Sequence, residues 1–297
     1  VLVTASAWAE AWLPSQLLFL AQLGVLLSFV VPRILAPAPG RTVPEGMVWV
    51  PLAIAMGAGG ALLTAVPVAG VRWLHPLGTG LLLQGLFTGL VLGVGGMLLP
   101  MFLHGTPPGA GTGARRRVRQ GLHAAVALLF MASFLVEAMV SSRWGHGLRA
   151  AVAAAALVGP VRLWRPPSQE GVHRWLIWAS AWLLPLGYTS VALRPELRTA
   201  GLHVVFVGCF ALMALAVSMH VVLAHGGHAR LLTRSPWQVA AVGALMVLAM
   251  VARLLVPFSA GAFTVSLGLA AAALLGATAL WALFLLPLSR GEPAPHA

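Results

Sequence analysis

Apolar runs of about twenty residues alternate along this chain with short breaks rich in proline, glycine and arginine. A run of that length is what an α-helix needs to cross a bilayer. The pattern predicts nine membrane spans, near 14–34, 47–70, 77–103, 119–140, 146–164, 173–193, 200–224, 237–257 and 261–287. The run at 146–164 is the weakest, because Arg149 and Arg162 fall in it and would have to snorkel to the interface. The breaks "APAPGRTVPEG" (36–46), "HGTPPGAGTGARRR" (104–117), "WRPPSQEG" (164–171) and "HGGHARLLTRSP" (225–236) hold residues that end helices. None reads as an interdomain linker. The expected fold is therefore an all-α, polytopic transmembrane helix bundle, with 1–297 as one integral-membrane domain.

Three stretches share a pattern. "QLLFLAQLGVLLSFVVP" (16–32) and "QGLFTGLVLGVGGMLLP" (84–100) each run from Gln to Pro, and "HVVFVGCFALMALAVSMH" (203–220) resembles them with His in place of Gln. Helix-pair duplication produces such repeats in membrane proteins. Chance similarity among Leu-, Gly- and Val-rich helices would produce them too.

Composition agrees with a bilayer. The chain is 60% hydrophobic and 8% charged, against about 25% charged residues in soluble domains. All 18 basic residues are arginine, and Lys and Asp are absent. A net charge of +12 would suggest nucleic acid for a soluble protein, but no basic stripe is interleaved with exposed aromatics, so no nucleic-acid partner is expected. The arginines instead flank the spans and set their orientation. The stretches 33–41, 115–119, 162–174 and 230–234 are expected in the cytoplasm of a bacterial-type inner membrane, with Arg72, Arg143, Arg149, Arg194 and Arg198 on the other side. The chain opens on Val, with no basic region ahead of an apolar core, so no signal peptide is expected and the chain reads as N-terminally truncated.

The candidate chemistry lies at the span ends. His203 and His225 are 22 residues apart on one predicted helix, or about 33 Å at about 1.5 Å per residue. They cannot share a metal or a haem, so each needs a partner from another helix. On the outer side His75, Glu137, His203 and Arg253 fall at similar depth, which predicts a common pocket. There His203 would be a ligand, with His75 a second one. Arg253 would hold an anion or pair with Glu137, which could instead orient an imidazole as an outer-shell carboxylate. On the cytoplasmic side His104, His123, His220, His225 and His228 could bind haem, copper or zinc, or could cap helices and contact lipid phosphates. His225 and His228 share a face only if the helix persists through Gly226 and Gly227, which argue against it.

Other residues are blander. Cys209 reads as a small core residue, and Met97, Met101, Met213 and Met219 as packing rather than copper ligands. Trp8, Trp12, Trp49, Trp73, Trp144 and Trp164 are placed for an aromatic belt. "GVGG" (93–96) reads as a close-packing face, and without Asp there is no Ser-His-Asp set.

Residues 201–257 resemble the NnrS family, on "LHVVFVGCFALMALAVSMHVVLAHGGHARLL" continuing to "VARLLVP" and on "LGVGGMLLPMF" (92–102). His203, Gly208, His225, Gly227 and Arg253 match the family's residue types. Met97, His220 and His228 stand where the family pattern has Arg, and the early His-x-His-Glu segment is absent. The resemblance implies a polytopic membrane protein that binds haem, copper or both through histidines, linked to nitric oxide metabolism or to a nitric oxide-handling or respiratory complex. The alternatives are a small-ion or metal transporter, for which Gly93–Gly96 and Pro100 would supply broken helices, and a cofactor-less assembly subunit of a respiratory complex.

Overall fold

The computed structural model describes residues 12–35, 44–65, 71–106, 113–258 and 260–289, and these are helical with short connections. The helices are α1 (Trp12–Leu35), α2 (Glu45–Ala65), α3 (Leu74–His104), α4 (Gly113–Met139), α5 (Ser142–Val161), α6 (Val172–Leu193), α7 (Pro195–His225), α8 (Ala229–Arg234), α9 (Trp237–Phe258) and α10 (Phe263–Ser289). Helix is the form that satisfies every backbone N–H and C=O without water, which is why apolar runs adopt it in lipid. Seven of the helices, α2, α3, α4, α6, α7, α9 and α10, are long and apolar enough to cross a membrane. Each of the nine predicted runs corresponds to one helix, and the all-α polytopic class holds.

The boundaries differ in instructive ways. The arginine-rich "ARRRVRQ" (114–120), read as part of a break, is the opening of α4, because arginine is a good helix former and its long stem reaches water without unwinding the backbone. The break at 225–236 contains the extra helix α8. The segments 36–43, 66–70 and 107–112 lie outside the described residues, and so do Trp8 and Arg290. α7 ends at His225, and Gly227 takes φ +82°, so the helix does not persist through "HGGH".

The described residues of Val1–Leu98 and Pro108–Leu148 form one compact unit. In it α1 packs on α2, and α2 packs along α3 through glycine. A methyl group on Gly60 would lie 2.5 Å from the Leu82 nitrogen and 2.6 Å from the Gly78 oxygen, and one on Gly89 2.6 Å from Ala53 Cβ. α3 is deformed by two π turns, Leu81–Gly85 and Val91–Gly95, yet runs unbroken through Pro100. The broken helix expected around Gly93–Gly96 and Pro100 is thus a wound-wide continuous one, since a π turn absorbs an extra residue without losing the helix.

The described residues of Leu99–Pro107 and Arg149–Ala297 form the second unit. Here α6 packs along α7, α9 lies against both, and α10 pairs with α9. The seam again uses glycine: methyl groups on Gly187, Gly201 and Gly208 would lie 2.6 Å from Val205 Cγ2, 2.5 Å from Val191 Cγ2 and 2.6 Å from Met250 Sδ. α7 also carries a π segment, Val204–Ala211. α3 and α7 thus share a feature, a π segment that includes a contact glycine, Gly85 in α3 and Gly208 in α7. α1 takes no part in it, because α1 has no π turn and Gly24 faces open space.

Three residues correct the sequence reading outright. Arg149 does not snorkel: it is fully buried, with its guanidinium carbon 5.9 Å from the centre of the Tyr188 ring. Arg162 lies exposed just past α5 at φ +55°, in the turn and not in a span. Trp49 leaves the aromatic belt, being fully buried against Phe130 at 6.0 Å between ring centres.

Candidate functional site

Gly171 takes φ +126° before α6 and turns the chain so that the first helical N–H, from Val172, donates to Ser235 Oγ at 3.0 Å. A side chain at 171 would strike the His173 ring and the Leu232 carbonyl. The turn sets His173, which is 2% exposed, on the second position of α6 and facing α7. His173 Nε2 lies 3.0 Å from His220 Nδ1, and Arg174 Nε donates to the same His173 nitrogen at 3.3 Å. The His220 ring packs on Phe102 of α3 at 4.4 Å between centres.

These contacts assign the protons. An arginine N–H only donates, so His173 Nε2 is the acceptor. His220 Nδ1 then carries the hydrogen and donates to His173. In a neutral ring this leaves His220 Nε2 with a free lone pair, its orientation fixed by the bond on the other nitrogen. That is the arrangement found behind metal-ligating histidines.

The second unit holds another polar pair. Arg253 Nε donates to His203 Nε2 at 2.9 Å, and His203 Nδ1 donates to the Thr199 carbonyl at 2.6 Å. Both ring nitrogens of His203 are engaged, so a metal could take His203 Nε2 only after Arg253 released it. At the other end of α7, His225 is exposed. His104 Nε2 and His228 Nε2 are buried without hydrogen-bond partners.

In the first unit His123 Nδ1 accepts from Trp49 Nε1 at 3.4 Å, beside Gly46. His75 is exposed at the start of α3. Glu137 lies with Oε1 3.9 Å from Nδ1 of the fully buried His146, whose Nδ1 also reaches the Ser142 carbonyl at 2.8 Å. Close approach of α4 and α5 makes this possible, since a side chain at Gly145 would strike the Glu137 backbone.

Of the predicted outer group, the structure joins His203 and Arg253 and sets Glu137 beside His146. Of the predicted cytoplasmic group, His220 meets the end of α3 through Phe102, two residues before His104. Among the described residues no three His, Cys, Asp or Glu side chains gather as a metal site. The sequence reading passes over His173, Arg174 and His146. The signal for His173 is its place two residues after Gly171 at the mouth of a span, at the depth of the other terminal histidines. His146 and Arg149 stand three apart on one helix, across a two-residue turn from Glu137.

A family model described as NnrS protein matches residues 1–290. No curated protein and no solved structure matches the chain.

Proposed function

The chain belongs to the NnrS family of multi-pass membrane proteins, and from that premise we propose that it binds haem in the membrane, with His220 as ligand, in the service of nitric oxide metabolism. The observation that carries the reading is the His173–His220 bond at 3.0 Å. It fixes the His220 tautomer and points a lone pair away from a buried partner. Two nitrogens so close share a hydrogen. They therefore do not sit on opposite faces of one iron, where metal–nitrogen bonds of about 2 Å each would separate them by about 4 Å. His173 is thus a positioning residue and His220 the ligand. Arg174 spends its Nε hydrogen on His173 and retains four others for a haem propionate. Haem bound there would supply an iron that takes nitric oxide as a ligand. Copper has less support, since its soft or multi-histidine sites need donors that do not converge among the described residues.

The test is the visible spectrum of the full chain purified in detergent from haem-replete cells. A Soret band is expected, lost in His220→Ala and retained in His225→Ala. Absence of the band in the unaltered chain, or its survival in His220→Ala, would overturn the reading.

A second reading, small-ion or metal transport, is favoured by the π segments of α3 and α7 beside glycine seams. Such turns expose backbone carbonyls mid-helix and recur at functional sites. Proteoliposome flux without a Soret band would select it.

A further inference from the structure

Arg253 stands in the last turn of the α-helical part of α9, half-buried, where Trp237–Leu255 packs on the Arg198–His203 segment of α7. On these two segments Ala200, Leu202, Ala249 and Ala252 are buried. A guanidinium at the apolar end of a span calls for a negative charge. Among the described residues no carboxylate supplies it: Glu196 of the same unit is engaged by Arg194 at 3.4 Å, and the partner Arg253 does have is His203.

His203 cannot neutralise that charge. Its Nδ1–H donates to the Thr199 carbonyl at 2.6 Å, and its Nε2 accepts from Arg253 Nε at 2.9 Å. A ring that accepts at one nitrogen and donates at the other is a neutral imidazole. What it does is hold the guanidinium by its inner edge. Arginine has five N–H donors in a plane, and one is used here. The outer Nη1/Nη2 edge is left with its hydrogens aligned for a bidentate acceptor, the geometry by which arginine takes phosphate and carboxylate.

We propose that Arg253, oriented by His203 and Thr199, is the anchor of an oxyanion-binding site at the α7–α9 contact, with a phosphate-type oxyanion as its ligand. Such a group reaches this depth in two ways: as a free ion from solution, or as the headgroup phosphate of an anionic lipid. The chemistry of recognition is the same for both, and the site is independent of the haem reading at the other end of α7.

The experiment uses the full chain, purified in maltoside detergent and delipidated. Binding is followed by calorimetry and by the thermal unfolding midpoint. One arm titrates sodium phosphate; the other titrates phosphatidylglycerol in mixed micelles, with phosphatidylcholine as the zwitterionic comparison. At least one arm is expected to bind and raise the midpoint, phosphate identifying a solution ligand and phosphatidylglycerol alone a headgroup site. Arg253→Gln should abolish binding. Arg253→Lys keeps the charge but not the planar edge, and should weaken binding about tenfold or more. His203→Ala leaves the guanidinium in place but unheld, and should weaken binding while leaving some. Failure of both arms with the unaltered chain overturns the proposal, as does binding by Arg253→Gln equal to the original. Should Arg253→Gln not fold, unchanged binding by Arg253→Lys overturns it instead.

Discussion

At the scale of single residues, the structure turns a set of terminal histidines into three distinct environments. His173 and His220 share a hydrogen across 3.0 Å, His203 is held at both nitrogens, and His146 is fully buried beside Glu137. The sequence places histidines at span ends, but which nitrogen bonds to what depends on the neighbouring helix. Two expectations follow. His173→Ala removes the acceptor of His220 Nδ1–H and frees the His220 ring to rotate. If haem binds at His220, the Soret maximum should shift and haem retention fall, without the complete loss expected of His220→Ala; an unaltered spectrum and occupancy would remove His173 from its positioning role. Gly171→Ala imposes a side chain at φ +126° and against the His173 ring. Strain of this kind costs about 1–3 kcal/mol, so the unfolding midpoint should drop and haem retention should fall with it.

The element that most needs its sequence is the α2–α3 pair. Its axes approach until backbone meets backbone, which is possible only where side chains are missing, and dispersion between the close helices holds them in a solvent that offers no hydrophobic drive. Gly60→Ala puts a methyl 2.5 Å from the Leu82 nitrogen. Overpacking on that scale costs about 1–3 kcal/mol, so the midpoint should fall. Gly59→Ala, one position away and facing open space, should leave it unchanged or raise it slightly, because alanine is the better helix former. Equal effects of the two changes would mean that the seam is not where the structure puts it. The glycine-rich pattern is visible in the sequence as a small-residue face. The π turns are not, since they come from fitting an extra residue into a helix whose neighbour fixes both ends.

For the molecule as a whole, the topology turns on whether α5 crosses the membrane. α5 is 20 residues long, but Arg143 and Arg149 leave it outside the seven helices that qualify by length and apolarity. Burial of Arg149 against Tyr188 removes the reason for excluding a crossing, because a sheltered arginine does not face lipid. A reporter cysteine at Gly113 and another at Gly227 are separated by α4, α5, α6 and α7. If all four cross, both reporters lie on one side, and the arginine bias makes that side the cytoplasm. Both should resist an impermeant thiol reagent added to intact cells, while Cys209, fully buried, stays silent. Labelling of one reporter alone would mean that α5 does not cross. The sequence by itself determined where the long apolar helices lie, the membrane class and the family. Hydrophobic length and Pro-Gly punctuation are local properties, and lipid leaves the backbone no alternative to helix. Only the tertiary structure decided which imidazoles meet, that Arg149 and Trp49 are buried, and where the π segments fall. Those depend on the rotation and close approach of neighbouring helices, which contacts between residues far apart in sequence set and periodicity does not.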